Sequence, residues 1–543
     1  MSEDVSPLAP LRAPEFRTLW IANLGSSFGG LIQGVGAAWL MTSLTSSIDM
    51  VALVQASTSL PLMLFSLLGG AVADSFARKT VMLTAQLFML VASVLLVVVT
   101  YAGLITPWLL LTFTFLIGCG LAFNNPSWQA SVSELVPRHL LPSAVALNSI
   151  GFNLSRSFGP ALGGAIVAAA GAGIAFAVNA ASYVGLVVAL FLWKPPARAI
   201  SPLPREDIGD AMMTGLRYVA MSPNIMKVIT RAFVFSAAAI SVLALLPVAA
   251  AAVPGGGPLT YGLMLGAFGL GAVAGALFSA RLQRLLGSEV LARIAFTGFA
   301  VCALIVGLSG SPFVTAGGLM VGGACWVLAL SLFNVSVQLS SPRWVLGRAL
   351  SAYQTATFGG MALGSWAWGV LAEATGLTTA FLVAGLCLLG GALLGLRLPL
   401  PPRNLLDLDP LNLWKAPQVE LDVAPRSGPV MIEITYVIPE GNVPAFLRVM
   451  KERRRIRRRD GARRWRLLRD LENPRHWIEH YEAPTWTEYL RHNMRLTKAD
   501  ANISEQLHAL HVGEGRPNVR RLIERPPRWL ETIRAPAPDI EPQ

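Results

Sequence analysis

The stretch GGAVADSFARKT (residues 69–80) lies between two long apolar runs, which begin at Val51 and at Val81. It places an aspartate, an arginine and a lysine in a gap of twelve residues. Each flanking run is about 20 residues long, which is the length that a helix needs to cross the hydrocarbon core of a bilayer. The stretch is therefore predicted to be a short polar turn between two membrane helices.

The composition of the whole chain agrees with this interpretation. Its 543 residues are 54% hydrophobic and 14% charged, whereas soluble domains average about 25% charged residues. Long apolar runs are confined to residues 1–400, while residues 401–543 are ordinary to strongly charged. This split predicts a membrane region followed by a soluble one. The four cysteines lie singly in apolar runs, without the spacing of a metal or redox site, so we expect neither a metal nor another cofactor.

The apolar runs predict twelve membrane helices, because lipid cannot satisfy the free backbone groups of any less regular segment. Alternate connections between them contain no lysine or arginine, and the other connections hold all the loop arginines and lysines. This one-sided charge predicts that both termini face the cytoplasm. The predicted spans lie near residues 16–41, 51–73, 80–100, 108–133, 143–170, 174–193, 227–252, 260–282, 289–309, 313–338, 347–373 and 378–397.

The chain also repeats itself at a shift of 205 residues, which brings Gly70 onto Gly275, Pro107 onto Pro312 and Gly159 onto Gly364. One gapless offset at separated places favours two six-helix halves in parallel orientation, with the substrate path at their interface. We therefore predict an all-α polytopic membrane protein with a small cytoplasmic α+β domain. The predicted regions are a first half (1–193), a cytoplasmic linker (194–226), a second half (227–400), a further linker (401–428), the α+β domain (429–515) and a flexible tail (516–543).

Four residues of the opening stretch, Gly70, Asp74, Arg78 and Lys79, match a known motif. In them the sequence resembles the major facilitator superfamily, whose motif between helices two and three is Gly-x-x-x-Asp-Arg/Lys-x-Gly-Arg-Arg/Lys. Positions 75 and 77 depart from the motif. The copy in the second half keeps Gly275 but has serine at the aspartate position.

The chemistry of these residues suggests a latch at the cytoplasmic side. A glycine at position 70 lets another helix approach closely. Asp74 can meet the positive N-terminal end of a helix from the other half, and Arg78 can reach the carboxylate of Glu134. Such contacts would break as the halves rock. The alternative is a plain positively charged loop, which would need Arg78 and Lys79 but not Asp74.

A second resemblance lies in SFGPALGG (residues 157–164), with Gly159, Pro160, Gly163 and Gly164. It is similar to the antiporter motif of exporting members of the superfamily, in which small residues permit tight helix contact and proline bends the helix. Residues 123–164 resemble the branch that contains siderophore (enterobactin) exporters and macrolide-efflux-like proteins. This resemblance, over roughly residues 10–400, implies a bacterial plasma (inner) membrane location and proton-coupled export of a small organic molecule of siderophore, macrolide or drug type by alternating access. The alternatives of the same fold are an importer and a lipid flippase.

Polar side chains within the predicted spans are candidates for the substrate path, since such groups are costly in lipid. Inter-helix hydrogen bonding is an equally good interpretation of any one amide. Arg156, about midway along its helix, requires an anion, carbonyl groups or water; the alternative is a position nearer the membrane surface. No aspartate or glutamate lies deep in a span, which favours a neutral or anionic substrate, and the absence of a P-loop argues against ATP. Helices one, four, seven and ten line the cavity in this superfamily, which adds Asn23, Gln33, Asn124, Asn125, Gln129, Asn334 and Gln338.

The soluble region reads as strand, helix, strand, strand and helix, which predicts a ferredoxin-like α+β domain. Its pattern resembles the antibiotic-biosynthesis-monooxygenase type, whose sheets pair, so we expect a homodimer as well as a small-molecule substrate and membrane lipids as partners. Its histidines show no catalytic constellation, so we expect no enzyme; the competing hypothesis is a membrane-anchored enzyme or sensor acting through residues 430–515. The stretch RRRIRRR (453–459) has three interpretations. The first is a helix face exposed to solvent, the second is a surface that binds anionic lipid, and the last is a surface that binds nucleic acid, which we do not expect as a partner.

Overall fold

The computed structural model of the protein describes residues 8–194, 208–342, 344–401 and 423–524, together with Pro417 and residues 419–421. The chain divides into two compact units. The membrane unit comprises Met1–Met212, Pro223–Ser340 and Leu346–Arg403, and the α/β unit comprises Met213–Ser222, Ser341–Val345 and Asn404–Gln543. The second unit thus includes two short segments from within the first four hundred residues.

The described part of the chain up to residue 401 is helical. Proline stands in the first turn of several helices, where its missing N–H costs nothing and its fixed φ favours the helix. The helices are α1 (Pro14–Leu44), α2 (Ile48–Ser75), α3 (Arg78–Tyr101), α4 (Pro107–Leu135), α5 (Leu141–Leu192), α6 (Ile208–Ala220), α7 (Pro223–Ala252), α8 (Pro258–Leu308), α9 (Pro312–Leu339), α10 (Leu346–Thr375) and α11 (Leu377–Leu394).

Two of these helices are twice the ordinary length, and a glycine divides each of them. Within α5 (52 residues) Gly171 has φ 79°, and within α8 (51 residues) Gly287 has φ 71°. Glycine adopts this left-handed conformation without the penalty that a Cβ imposes. With both helices divided there, and with the short α6 set apart, each of the twelve predicted spans coincides with a helix. The predicted fold class is confirmed.

Nine segments within the described residues are long and apolar enough to cross a membrane by length and composition alone. The α5 segment from Ser143 to Leu192 counts once among them, although it contains two spans. Helices α1 and α10 are not among these nine segments, because their sequences are more polar. Their place in the bundle follows from packing, since α1 packs along α5 and α10 packs along α2 and α7.

Each half of the membrane unit has its own core. In the first half, buried residues such as Phe16, Trp128 and Leu190 join α1, α4 and α5. In the second half, the Phe235 ring lies 5.0 Å from the centroid of Phe296 and 6.0 Å from that of Trp326. The halves meet along two helix pairs, α2 with α10 and α5 with α8.

The α/β unit contains a four-stranded antiparallel sheet in the order β2-β3-β1-β4. Apolar side chains at alternate positions of β1 are buried beneath the helices, which explains the strand and its orientation. Strand order and connections are those of a ferredoxin-like fold. The elements are β1 (Val430–Val437), α12 (Val443–Arg459), β2 (Arg463–Arg469), β3 (His476–Ala483), α13 (Trp486–Met494), α14 (Lys498–Leu510) and β4 (Asn518–Ile523).

The predicted end of the α+β domain at residue 515 is wrong by one strand. Residues Asn518–Ile523 form β4, which pairs antiparallel with β1, whereas the sequence assigned them to a flexible tail. This edge strand carries Arg520 and Arg521 and has no clear alternation of apolar residues. Its strand conformation comes from hydrogen bonds to β1 rather than from a local pattern.

The interpretation of RRRIRRR (453–459) as a solvated face is wrong for half of its arginines. Arg453, Arg457 and Arg459 are only 7%, 3% and 7% exposed. Arg453 and Arg457 form ion pairs with the buried Glu479, and Arg459 does so with Asp460 and Asp500. These acidic partners are distant in sequence or follow the run, so the run itself gave no sign of them.

Candidate functional site

The turn between α2 and α3 is tied to the neighbouring helices of the first half. Arg78 forms an ion pair with Glu134 of α4, with 2.8 Å between Nη1 and Oε1, and donates to the carbonyl of Ala130 at 2.6 Å. Lys79 Nζ donates to the carbonyls of Phe191 and Trp193 at 3.1 and 2.6 Å. A cation at these last carbonyls of α5 is favoured by the helix dipole.

The Asp74 side chain lies outside the described residues, so its expected contact with the other half stays a prediction. The glycines beside it have different surroundings. A Cβ on Gly69 would lie 2.4 Å from the carbonyl oxygen of Ala122 in α4, whereas one on Gly70 would lie 3.4 Å from Ser351 Oγ in α10. Gly70 therefore lies beside a helix of the opposite half at an ordinary contact distance, whereas Gly69 is in a backbone contact that leaves no room for a side chain. In the repeat, Gly275 lies against Ala324 of α9, within its own half.

The glycines of the SFGPALGG stretch place α5 between α1 and α8. A Cβ on Gly159 would lie 3.0 Å from the Leu31 side chain, and one on Gly163 would lie 3.0 Å from the Ile32 Cα, both in α1. A Cβ on Gly164 would lie 2.7 Å from the Cα of Gly262 in α8.

Opposite this contact, the Pro160 carbonyl oxygen would lie 2.8 Å from a Cβ on Gly262. The backbones of the two halves thus touch, and only glycine fits at either position.

Two of the predicted cavity residues are engaged in hydrogen bonds inside the first half. Gln33 is 4% exposed, accepts a hydrogen bond from Ser93 at 3.2 Å and another from Asn179 Nδ2. Asn124 is buried and accepts from Gln86 at 3.1 Å. These side chains link helices to one another, which is the structural alternative for an intramembrane amide.

The remaining amides are more accessible. Asn125 and Gln129, one helical turn apart in α4, are exposed, and Asn23 in α1 is half-buried. In α9, Gln338 is exposed and donates to the half-buried Asn334. These side chains are therefore accessible to a solute, whereas Gln33 and Asn124 are buried.

Arg156 is the predicted residue with the most distinctive surroundings. It lies in α5, in the first half, and is half-buried. Its guanidinium carbon is 5.8 Å from the ring centroid of Phe268 in α8 and 5.7 Å from that of Trp326 in α9, both in the second half. Across the described residues no carboxylate pairs with it. Two aromatic rings of the second half thus lie beside the positive charge of this first-half residue.

A second buried arginine was not among the predicted site residues. Arg231 of α7 is fully buried and pairs with Glu289 of α8, which also accepts from Arg293 Nε at 3.0 Å and from the Leu400 backbone at 3.0 Å. The cluster joins α7, α8 and the chain after α11 inside the second half. A lone arginine in an apolar run was the available signal, because such a charge needs a partner.

The start of α2 and the C-terminal end of α10 are also joined. Glu373 of α10 accepts a hydrogen bond from the Ile48 backbone N–H, the first residue of α2, at 2.6 Å. A carboxylate at a helix N-terminus is favoured by the dipole. On the same contact, a Cβ on Gly369 would lie 2.9 Å from the Asp49 Cα. Among the described residues, no group of three or more histidine, cysteine, aspartate or glutamate side chains is placed to hold a metal ion.

Two helical halves with paired contacts along two helix pairs define a membrane transporter of the major facilitator type, and comparisons with known proteins agree. The family model described as transmembrane secretion effector matches residues 5–527. The chain belongs to this family of the major facilitator superfamily.

Relatives and solved structures extend this finding. The chain is 28% identical over 363 residues to an uncharacterized MFS-type transporter, YfiS, of Bacillus subtilis (strain 168), in an alignment that covers 63% of this chain and 82% of that one. It is 27% identical over 361 residues to the enterobactin exporter EntS of Salmonella choleraesuis (strain SC-B67), covering 65% and 84%. The crystal structure of a mutant of the nucleoside transporter NupG shares the fold, with a TM-score of 0.57, 14% identity and coverage of 71% of this chain and 99% of that one.

Proposed function

We propose that the protein exports a small organic molecule, neutral or anionic, by alternating access between its two helical halves. The observation that carries the proposal is Arg156, a positive charge that projects from α5 to two rings of the other half and has no carboxylate partner in the described chain. An arginine inside a membrane protein faces a functional cavity or pairs with a specific group. Contact with aromatic faces compensates part of its desolvation when no solute is present.

An anionic solute would find at Arg156 a planar donor that can form two parallel, charge-assisted hydrogen bonds. Phe268 and Trp326 are buried beside the guanidinium and would position it for the solute. Because the rings that position Arg156 belong to the other half, binding and release of the solute would depend on how the halves are arranged. Further polar contacts along the path would come from the accessible amides Asn23, Asn125, Gln129, Asn334 and Gln338.

Similarity to the enterobactin exporter favours the outward direction and a siderophore-, macrolide- or drug-like solute. In this proposal Asp74, Arg78 and Glu134 form the inner latch, and the close glycine contact of α5 with α8 is the pivot between the halves. Proton coupling and a bacterial inner-membrane location with both termini in the cytoplasm complete it. With no carboxylate deep in a span, protons would act at the ends of the helices.

The proposal is tested by mass spectrometry of the growth medium of a deletion strain and of the same strain complemented with the gene. We expect at least one neutral or anionic compound that wild type restores to the medium, that Arg156→Gln leaves in the cells, and that Arg156→Lys restores in part, because lysine keeps the charge but not the bidentate geometry. Export by Arg156→Gln equal to wild type would contradict the role of Arg156. Identical media from the two strains would contradict export itself.

We also propose that two copies of the chain pair through the sheet face that the helices leave open. On this face Glu433 of β1 lies between His480 of β3 and Arg520 of β4 in register, so a carboxylate has an arginine on the neighbouring strand. Leu468 and Leu522 on the same face are exposed. A second copy could match both features. The mass of the detergent-solubilised protein, measured by light scattering, should be that of a dimer for wild type and of a monomer for Glu433→Arg; a wild-type monomer would contradict the pairing.

A further inference from the structure

We infer that the arginine-rich helix α12 is an intramolecular docking surface, and that its partner is this chain's own polypeptide rather than lipid or nucleic acid. Two short segments, Met213–Ser222 at the end of α6 and Ser341–Val345 before α10, belong to the same compact unit as the α/β domain. We call these the docked segments. Both segments are distant from the α/β domain in sequence, and the whole second half separates the first of them from it. They therefore belong to the same compact unit only because they contact the domain in the folded protein.

The contacts between the docked segments and the domain are arginines against aromatic faces. The Arg459 guanidinium carbon lies 4.8 Å from the ring centroid of Tyr218, and that of Arg495 lies 4.5 Å from Trp344. The rings of Tyr218 and Trp344 meet edge to face at 5.2 Å, so the two docked segments also touch each other. Arg455 completes the contact, since its Nη1 donates to the carbonyl of Met221 at 3.2 Å.

The residues of this contact are buried by the arrangement. Tyr218 is 2% exposed, and Arg459 and Arg495 are each below a tenth. An arginine on a desolvated aromatic face is stabilised by electrostatic attraction to the ring as well as by burial of both surfaces. Arginine is suited to this role because its planar, weakly hydrated cation stacks on rings better than lysine does.

The six arginines of residues 453–459 divide into three sets. Arg453 and Arg457 are committed to Glu479 inside the domain, and Arg455 and Arg459 bind the docked segments. Arg454 and Arg458 remain exposed, four residues apart on one face of α12. This third pair offers a matched control, since it has the same charge on the same helix and the one contact described for it, that of Arg454 with the Trp465 ring, lies within the domain.

The docked segments lead directly into the membrane bundle. Ser222 precedes Pro223, the first residue of α7, and Val345 precedes Leu346, the first residue of α10. By binding both segments at once, the α/β domain links the starts of two helices of the second half. A ligand or partner that loosens this docking would therefore act on the half of the transporter to which these helices belong. This last consequence rests on the proposed function, whereas the docking itself does not.

Hydrogen exchange of the full-length protein in phosphatidylcholine nanodiscs tests the docking without any transport assay. In the Tyr218→Ala/Trp344→Ala variant we expect peptides that contain residues 213–222 and 341–345 to exchange about tenfold faster than in wild type. Truncation after Pro401 should have the same effect. Tyr218→Phe/Trp344→Phe keeps an aromatic ring at both positions, and Arg454→Gln/Arg458→Gln removes only the exposed charges, so both should retain wild-type protection. Unchanged exchange in α3 and α4 shows that the bundle remains folded.

The inference is overturned if the truncated chain and the double alanine variant protect the docked segments as well as wild type does. It is also overturned if protection appears only when anionic phosphatidylglycerol is added to the nanodiscs, since that result would make lipid the partner of α12. Loss of protection in the alanine variant together with normal export would support the docking and contradict its influence on the second half. Failure of wild-type export would bear on the proposed function alone.

Discussion

The buried carboxylate of Glu479 in β3 is surrounded by positive charges and hydrogen-bond donors. Its carboxylate accepts from Tyr436 Oη at 3.0 Å and from Trp465 Nε1 at 3.1 Å, and it pairs with Arg453 and Arg457. Burial by itself would raise the pKa of Glu479, but the two arginine charges and the hydrogen bonds outweigh it and hold the pKa below its ordinary value.

Replacing Glu479 with glutamine should therefore destabilise the α/β domain by about 3–5 kcal/mol, because two buried arginines would lose their counterion. The slowest exchange of β1 and β3 amides in the full-length protein reports this free energy. Glu472→Gln, in the turn between β2 and β3, is the control and should cost far less, since its side chain is exposed to water. An equal loss in both variants would contradict the proposed network.

The depressed pKa of Glu479 also sets the direction of a pH dependence. The unfolded chain binds the proton with a pKa of about 4.3 and the folded chain with a lower one. The stabilisation is therefore complete above about pH 4.3 and is lost as the pH falls from there through the folded pKa. Hydrogen exchange of β3 amides, corrected for the intrinsic effect of pH, should show this acid-induced loss of stability in wild type but not in Glu479→Gln. The same dependence on acid pH in both proteins would contradict the assignment to Glu479.

Among the elements, α5 and α8 cross at a point where the backbones of the two halves come into contact. At Gly164 and Gly262 the two backbones are in contact, so a methyl group at either position has no space. The antiporter-like glycines suggested a close approach of some helix, but not which one. The structure shows that Gly159 and Gly163 face α1, and that Gly164 faces the other half.

We expect Gly164→Ala to separate α5 from α8 and to lower the stability of the membrane unit by about 1–3 kcal/mol, as overpacking does. Thermal unfolding in detergent measures the loss, and the export assay measures its effect on transport at equal membrane levels. Gly185→Ala, in the same helix, is the control because its Cβ would meet nothing within 4 Å. Equal behaviour of the two variants would show that this contact has no special role.

At the scale of the whole molecule, the alternation of charged and uncharged connections predicts the orientation of the bundle in the membrane. This orientation would also put the C-terminal α/β domain in the cytoplasm. A green fluorescent protein fused to the C-terminus should therefore fluoresce, and alkaline phosphatase fused at the same place should be inactive. The reverse result would invert the orientation, and with it the proposed inner latch.

Much of the architecture was predictable because hydropathy and charge act along the chain. Apolar runs located the twelve spans, and even Arg78 and Glu134 form the ion pair that their positions at adjacent helix ends suggested. The partners of individual side chains could not be predicted in the same way. Gln33 and Arg156 both read as polar groups in a span, yet one is enclosed by amides of its own half and the other lies against rings of the opposite half.

The sequence by itself determined that this is a membrane protein of two helical halves followed by a ferredoxin-like domain, since the transfer of apolar runs into lipid and the alternation of a strand are local properties. Only the tertiary structure decided that β4 joins the sheet, that Arg457 is neutralised by Glu479, and that Arg459 lies on Tyr218. These contacts join residues far apart in the chain. Burial and pairing energies exist only between groups that the fold brings together, so no local pattern could reveal them.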